Sequence, residues 1–178
     1  MDELSKLGIK YGTDKGTKHH YLPVYFEMFR GRENKVKKVV EVGVGEGAGL
    51  FMFRDFFPNA TIYGADIDQD RVNYLLGEER NRIKVLECDQ SFEVDLARLV
   101  AHTGPDIDLV IDDGSHLPQD QLFTCLTLMP MLNKEVIYVI EDVADISLAE
   151  KIIEYPVEVV ECGRRYDDRL VIVRHKNA

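Results

Sequence analysis

The sequence predicts an α/β fold, a doubly wound and mostly parallel sheet of seven strands that ends in an antiparallel hairpin. Three observations carry this. Short apolar runs alternate with amphipathic stretches along the chain, as in successive βαβ units. The first run opens into a glycine-dense turn and then a helical stretch. The last two runs lie too close together for a helical crossover, so they pair as a hairpin.

Taken in order, the first run is Lys37 to Gly43, followed by a helix through LFMFRDFF. Thr61 to Ile67 comes next, with a helix near Asp70 to Glu79. Ile83 to Asp89 precedes a helix from about Phe92 to Ala101, and Ile107 to Asp113 precedes one near Gln119 to Leu132. Val136 to Asp142 leads into a helix near Ser147 to Tyr155. The hairpin is VEVVEC and RLVIVRH, joined by GRRYDD. Before Lys37 the chain reads as amphipathic helix, with Leu4, Leu7, Tyr21, Tyr25, Phe26 and Phe29 on the apolar side.

The 178 residues suit one domain with a sizeable core. We expect residues 1–178 to form that domain, with residues 1–34 a helical flap and 35–178 the core. At 45% hydrophobic and 30% charged, the chain belongs with folded proteins. No apolar run is long enough for a bilayer, and MDELSKLGIKYGTDK lacks the layout of a signal peptide. Cys88, Cys125 and Cys162 fit neither a zinc spacing nor a disulfide framework. A cytoplasmic protein without a membrane partner is therefore expected. A net charge of -10 argues against a nucleic-acid partner. The two dense basic stretches, Lys35 to Lys38 and Arg164-Arg165, read as solvated turns. A homo-oligomer stays open.

The glycine turn reads Glu41-Val-Gly43-Val-Gly45-Glu46-Gly47-Ala-Gly49. Glycines let the backbone turn sharply and approach a ligand, while the following helix start offers free N–H groups. Gly43, Gly45 and Ala48 also satisfy a dinucleotide fingerprint. Glu46 inside the loop would repel a pyrophosphate, and Glu41 can meet a cationic group. Acids stand at the end of each following parallel run: Asp66 beside Ile67, Asp89 beside Gln90, Asp112-Asp113, and Glu141-Asp142. All fall on the carboxyl rim, where open α/β sheets bind ligands. Any one could be a helix cap, but a whole row of carboxylates repels itself unless a cation or polar ligand offsets the charge. With the fourth and fifth strands paired about 4.8 Å apart, four carboxylates share one small volume. A hard divalent cation such as Mg²⁺ would relieve that repulsion. In Asp113-Gly-Ser-His116 a histidine follows a candidate ligand, placed to take a proton from a hydroxyl; the alternative reading makes Asp112 a buried partner and His116 a helix-start residue.

The segment EVGVGEGAG resembles the first motif of class I S-adenosylmethionine-dependent methyltransferases, whose Rossmann-like fold ends in an antiparallel strand. The likeness runs from about Lys35 to the end. YGTDKGTKHHYLPVY, DDGSH and IED narrow it further. Together these segments resemble the metal-dependent sugar O-methyltransferases of macrolide and aromatic polyketide tailoring. The resemblance implies S-adenosylmethionine and Mg²⁺ as cofactors, and a hydroxyl of a sugar or glycosylated small molecule as acceptor. It implies Asp113, Glu141 and Asp142 as metal ligands, His116 as general base, and Asp113 and His116 as the catalytic pair. Asp66 would hold the ribose, Asp89 and Gln90 would lie near the adenine, and Glu41 with Gly43, Gly45 and Gly47 would cradle the methionine part. Ile67 and Asp112 complete the expected rim. Larger members of that family carry an extra N-terminal domain, which this chain is expected to lack.

The polar segment Gly12 to Tyr21 reads in two ways. Thr17 or Asp14 could cap a surface helix. Alternatively the segment is a flap over the cofactor, with Lys15 or His20 reaching its carboxylate and Tyr21 and Tyr25 lining the pocket. Two other functions compete with methyl transfer: an NAD(P)-dependent oxidoreductase, and a non-catalytic module that binds S-adenosylmethionine.

Overall fold

A computed structural model describes residues 1–76, 82–163 and 165–176. Its sheet has seven strands in the order β3-β2-β1-β4-β5-β7-β6. The strands are β1 (Lys38–Val42), β2 (Thr61–Asp66), β3 (Ile83–Glu87), β4 (Leu109–Asp112), β5 (Ile137–Ile140), β6 (Val157–Glu161) and β7 (Arg169–Val173). The first five pair in parallel, while β7 runs antiparallel between β5 and β6. The expected fold class and hairpin are both present.

Successive strand side chains point to opposite faces, and here both faces are covered. Val39, Ile62, Leu109, Ile111 and Val139 pack toward one core, and Val40, Val42, Val110, Tyr138 and Ile140 toward the other. That explains strands that read as nearly continuous apolar runs. β6 is an edge strand, and its exposed Glu158 and Glu161 blunt the open edge.

Helices α1 (Glu3–Tyr11), α2 (Asp14–Thr17) and α3 (Leu22–Phe29) precede the sheet, and α1 packs on α3 and on α4 (Ala48–Phe56). Asp2 caps α1, its carboxylate accepting from the Ser5 N–H at 2.7 Å. Thr17 and Asp14 do not serve as the caps foreseen for this region: both lie inside the short α2. Helix α5 (Gln69–Leu76) matches the run expected from Asp70, although residues 77–79 of that expectation lie outside the described residues. So does Arg164 of the hairpin turn. The remaining α-helices among the described residues are α6 (Glu93–Thr103), α7 (Pro118–Leu128) and α8 (Ser147–Lys151). Among them, α8 is several residues shorter than expected. No described helix is long and apolar enough to cross a membrane.

The strand order reverses between β1 and β4. There the turn after β1 meets the turn after β4 so closely that a Cβ on Gly43 would collide with the Asp113 carbonyl. Gly43 also sits at φ +81°, a conformation that favours glycine. The crevice at such a reversal is where open α/β sheets take their ligands.

Candidate active site

A cleft of about 660 Å³ opens at that crevice. Its walls are the glycine turn, the ends of β2 and β3, the Asp113–His116 turn, and residues 12–15. Glu41, Gly43, Gly45, Asp66, Ile67, Asp89, Gln90 and Lys15 all line it, as do Asp113 and His116.

Each polar side chain is placed by identifiable contacts. Asp66 accepts from the N–H of Val44 and the N–H of Asp68, both at 2.9 Å, so it ties the glycine turn to the end of β2. Glu41 lies buried beneath the start of α4, in space that a side chain at Gly49 would fill. Its Oε2 has no hydrogen-bond partner among the described residues. Burial pushes the Glu41 carboxyl up to about 7, against the pull of Lys15. Gln90 accepts from the Ser115 N–H at 2.7 Å and donates to Asp112 and Thr124, each at 3.0 Å. It therefore braces the Asp113–His116 turn as well as lining the cleft.

Lys15 enters the centre of the acid row. Its buried ammonium lies 2.6 Å from Asp113 Oδ2, 2.8 Å from Glu141 Oε2 and 3.0 Å from Glu41 Oε1. Burial alone would lower the lysine's pKa, but the three carboxylates outweigh it and hold the pKa well above its ordinary value. One ammonium thus serves three carboxyl groups, and burial holds two of them, Glu41 and Glu141, short of full ionisation near neutrality.

Five expected positions need correction. Tyr21 does not line the cleft: it is buried, and its hydroxyl donates to Asp142 Oδ1 at 2.5 Å. His20 is exposed and outside the cleft lining, whereas its neighbour His19 is buried against Asp168 at 2.6 Å. Asp112 is fully buried behind the cleft, accepting from Gln90 and from the Tyr138 hydroxyl. Gly47 faces Leu75, which fills the space a side chain there would need. Tyr25 is likewise a buried donor to Glu141 Oε1, at 2.6 Å, rather than a pocket wall.

The acids expected to share a metal divide. Ligand atoms of Asp113, His116 and Asp142 lie within 4.8 Å of one another. Glu141 stands outside that trio, with one oxygen on Lys15 and the other on Tyr25. Burial raises its carboxyl to about 8, with Lys15 pulling the other way. Asp113 Oδ1 and Asp142 Oδ2 lie 3.9 and 3.8 Å from His116 Nδ1. Two carboxylate oxygens facing one spot fit the oxygen preference of a hard divalent cation. Residues that sequence reasoning missed include Thr13, Arg71, Ser115 and Asp120 on the cleft wall. Thr13 and Ser115 lie within the YGTDK and DDGSH segments, whereas Arg71 and Asp120 carry no motif and reach the site through the fold alone.

No family model matches the chain. It is 37% identical over 149 residues to mycinamicin VI 2''-O-methyltransferase of Micromonospora griseorubida, covering 79% of this chain and 36% of that protein. It is 35% identical over 147 residues to 8-demethyl-8-alpha-L-rhamnosyl tetracenomycin-C 2'-O-methyltransferase of Streptomyces olivaceus, covering 78% and 37%. The solved structure of MycE methyltransferase from the mycinamycin biosynthetic pathway, in complex with Mg, SAH and mycinamycin VI, superposes with a TM-score of 0.79 at 28% identity. The superposition covers 97% of this chain and 54% of that one. The chain thus spans about a third of the length of the curated relatives it matches. Its seven-stranded sheet is the class I methyltransferase fold, and its sequence is similar to the sugar O-methyltransferases of macrolide and aromatic polyketide pathways.

Proposed function

We propose that this chain binds S-adenosylmethionine and supports Mg²⁺-dependent O-methylation of a hydroxyl on a sugar or glycosylated small molecule. The observation that carries the reading is the cleft itself. Its glycine wall and its carboxylate–histidine wall meet at the switch between β1 and β4. In this reading residues 1–178 work as one domain, with residues 1–34 packed against its core.

The cofactor's positive charge suits the acids at the cleft floor. The unpartnered Oε2 of Glu41 is placed to accept from its ammonium, and Gly43 and Gly45 let the backbone approach its methionine part. Asp66 keeps unused lone pairs for the ribose hydroxyls, because a carboxylate accepts more than two bonds. Glu46 on the same wall disfavours a pyrophosphate, which counts against a dinucleotide.

When bound, Mg²⁺ would supply a Lewis acid that makes an acceptor hydroxyl more acidic. Asp113 and Asp142 would hold it. His116 is nearly half exposed at the mouth of the cleft. Magnesium prefers oxygen ligands, which leaves the imidazole available to take the hydroxyl proton as the methyl group moves. The acceptor oxygen must approach along the line of the sulfur–methyl bond, so the cleft's task is chiefly to orient.

The test is transfer of a labelled methyl group from S-adenosylmethionine to a panel of small glycosides, in excess chelator and again after Mg²⁺ is restored. Activity that vanishes with chelator and returns with Mg²⁺ is expected. Full activity in chelator would overturn the metal-dependent reading.

A further inference from the structure

The polar segment before α3 is explained by the cofactor cleft only as far as residues 12–15. Lys15 reaches the cleft floor, but His19 and Tyr21 turn away from it into the protein. Their targets are acids. Lys15 takes Asp113 Oδ2, Tyr21 takes Asp142 Oδ1, and, from within α3, Tyr25 takes Glu141 Oε1.

The pattern divides the oxygens of each carboxylate. Asp113 gives Oδ2 to Lys15 and keeps Oδ1 on the His116 side. Asp142 gives Oδ1 to Tyr21 and keeps Oδ2 on the His116 side. We propose that Tyr21 is a positioning residue for the cation site, holding Asp142 so that its Oδ2 faces the same spot as Asp113 Oδ1. This rests on the metal-dependent reading above.

Three further observations support it. The Tyr21 oxygen also lies 3.3 Å from the Asp142 backbone N–H, so it grips that residue at two points. Asp142 adopts φ +53°, a left-handed conformation that aspartate enters more readily than most residues but that is still uncommon. Such a conformation persists where the surroundings hold it, and the two Tyr21 contacts are part of those surroundings. The Tyr21 ring is itself fixed, stacked on His19 with centroids 4.9 Å apart and planes 12° from parallel. His19 in turn is anchored to Asp168. Groups that orient a metal-binding carboxylate in this way typically change metal affinity 10–100-fold when removed.

The test is Tyr21→Phe, which keeps the stacked ring and removes the oxygen. Mn²⁺ affinity by electron paramagnetic resonance, S-adenosylhomocysteine affinity by calorimetry and melting temperature are compared with the wild type. A loss of about 10–100-fold in Mn²⁺ affinity is expected, with S-adenosylhomocysteine affinity measured without metal unchanged. Equal Mn²⁺ affinity in the two folded proteins would overturn the role of Tyr21 alone, including the case where melting temperature falls. Failure of the wild type to bind Mn²⁺ would overturn the cation site, and this role with it.

Discussion

Asp112 and Asp113 are neighbours in sequence with opposite situations. Asp113 reaches the cleft, whereas Asp112 is wholly buried and held by Gln90, Tyr138 and the Gly114 N–H. Burial raises the Asp112 carboxyl from its ordinary 3.8 to about 7, despite those hydrogen bonds. The folded state therefore holds a proton that the unfolded chain has already lost between those two pH values. Stability contributed by this group falls as pH rises from about 4 to about 7 and levels off above. An Asn at 112 cannot titrate. Chemical denaturation across that range should show Asp112→Asn gaining on the wild type by on the order of 2–4 kcal/mol as pH rises. A constant difference would mean that Asp112 is ionised in the fold throughout. At this scale the sequence was only partly legible. Strand-end acids could be placed on the rim, because side-chain alternation and the strand ends are local features. Which of two adjacent aspartates faces the cleft depends on where β4 stops, and that is decided by its neighbours in the sheet. The partners of the acids were less legible still: Lys15 is 98 residues from Asp113 and 126 from Glu141.

At the scale of elements, the parallel strands and their helices were readable because each run is apolar on both faces and ends in polar or glycine residues. The hairpin was readable from the short gap alone. What no local pattern showed is that the hairpin turn anchors the N-terminal segment. Asp168 accepts from the Arg165 N–H at 2.9 Å and pairs with buried His19. Gly163 leaves room for that carboxylate, which a larger side chain would strike. Asp168→Ala would strand His19 in a buried setting and release the turn. A buried polar group left without its partner costs about 1–3 kcal/mol. Urea denaturation should show a loss of that size, and an unchanged midpoint would show that the anchor contributes nothing net. The pair also explains why HHY reads poorly in sequence. The first histidine is internal and the second is exposed, and both lie between α2 and α3, where no helical period marks which one faces inward.

At the scale of the whole molecule, the sheet order brings the turns after β1 and β4 together, and the N-terminal segment closes the floor beneath them. One cleft results, with glycines and Asp66 on one wall and the Asp113–His116 turn on the other. The most direct test is a crystal structure of the protein soaked with S-adenosylhomocysteine and Mn²⁺, with anomalous scattering locating the metal. The predicted result is an anomalous peak between Asp113 and Asp142, beside His116, with the ligand lying along Gly43 and Gly45 and its ribose at Asp66. A cleft holding S-adenosylhomocysteine with no peak between those two aspartates, or a ligand bound elsewhere, would contradict the account.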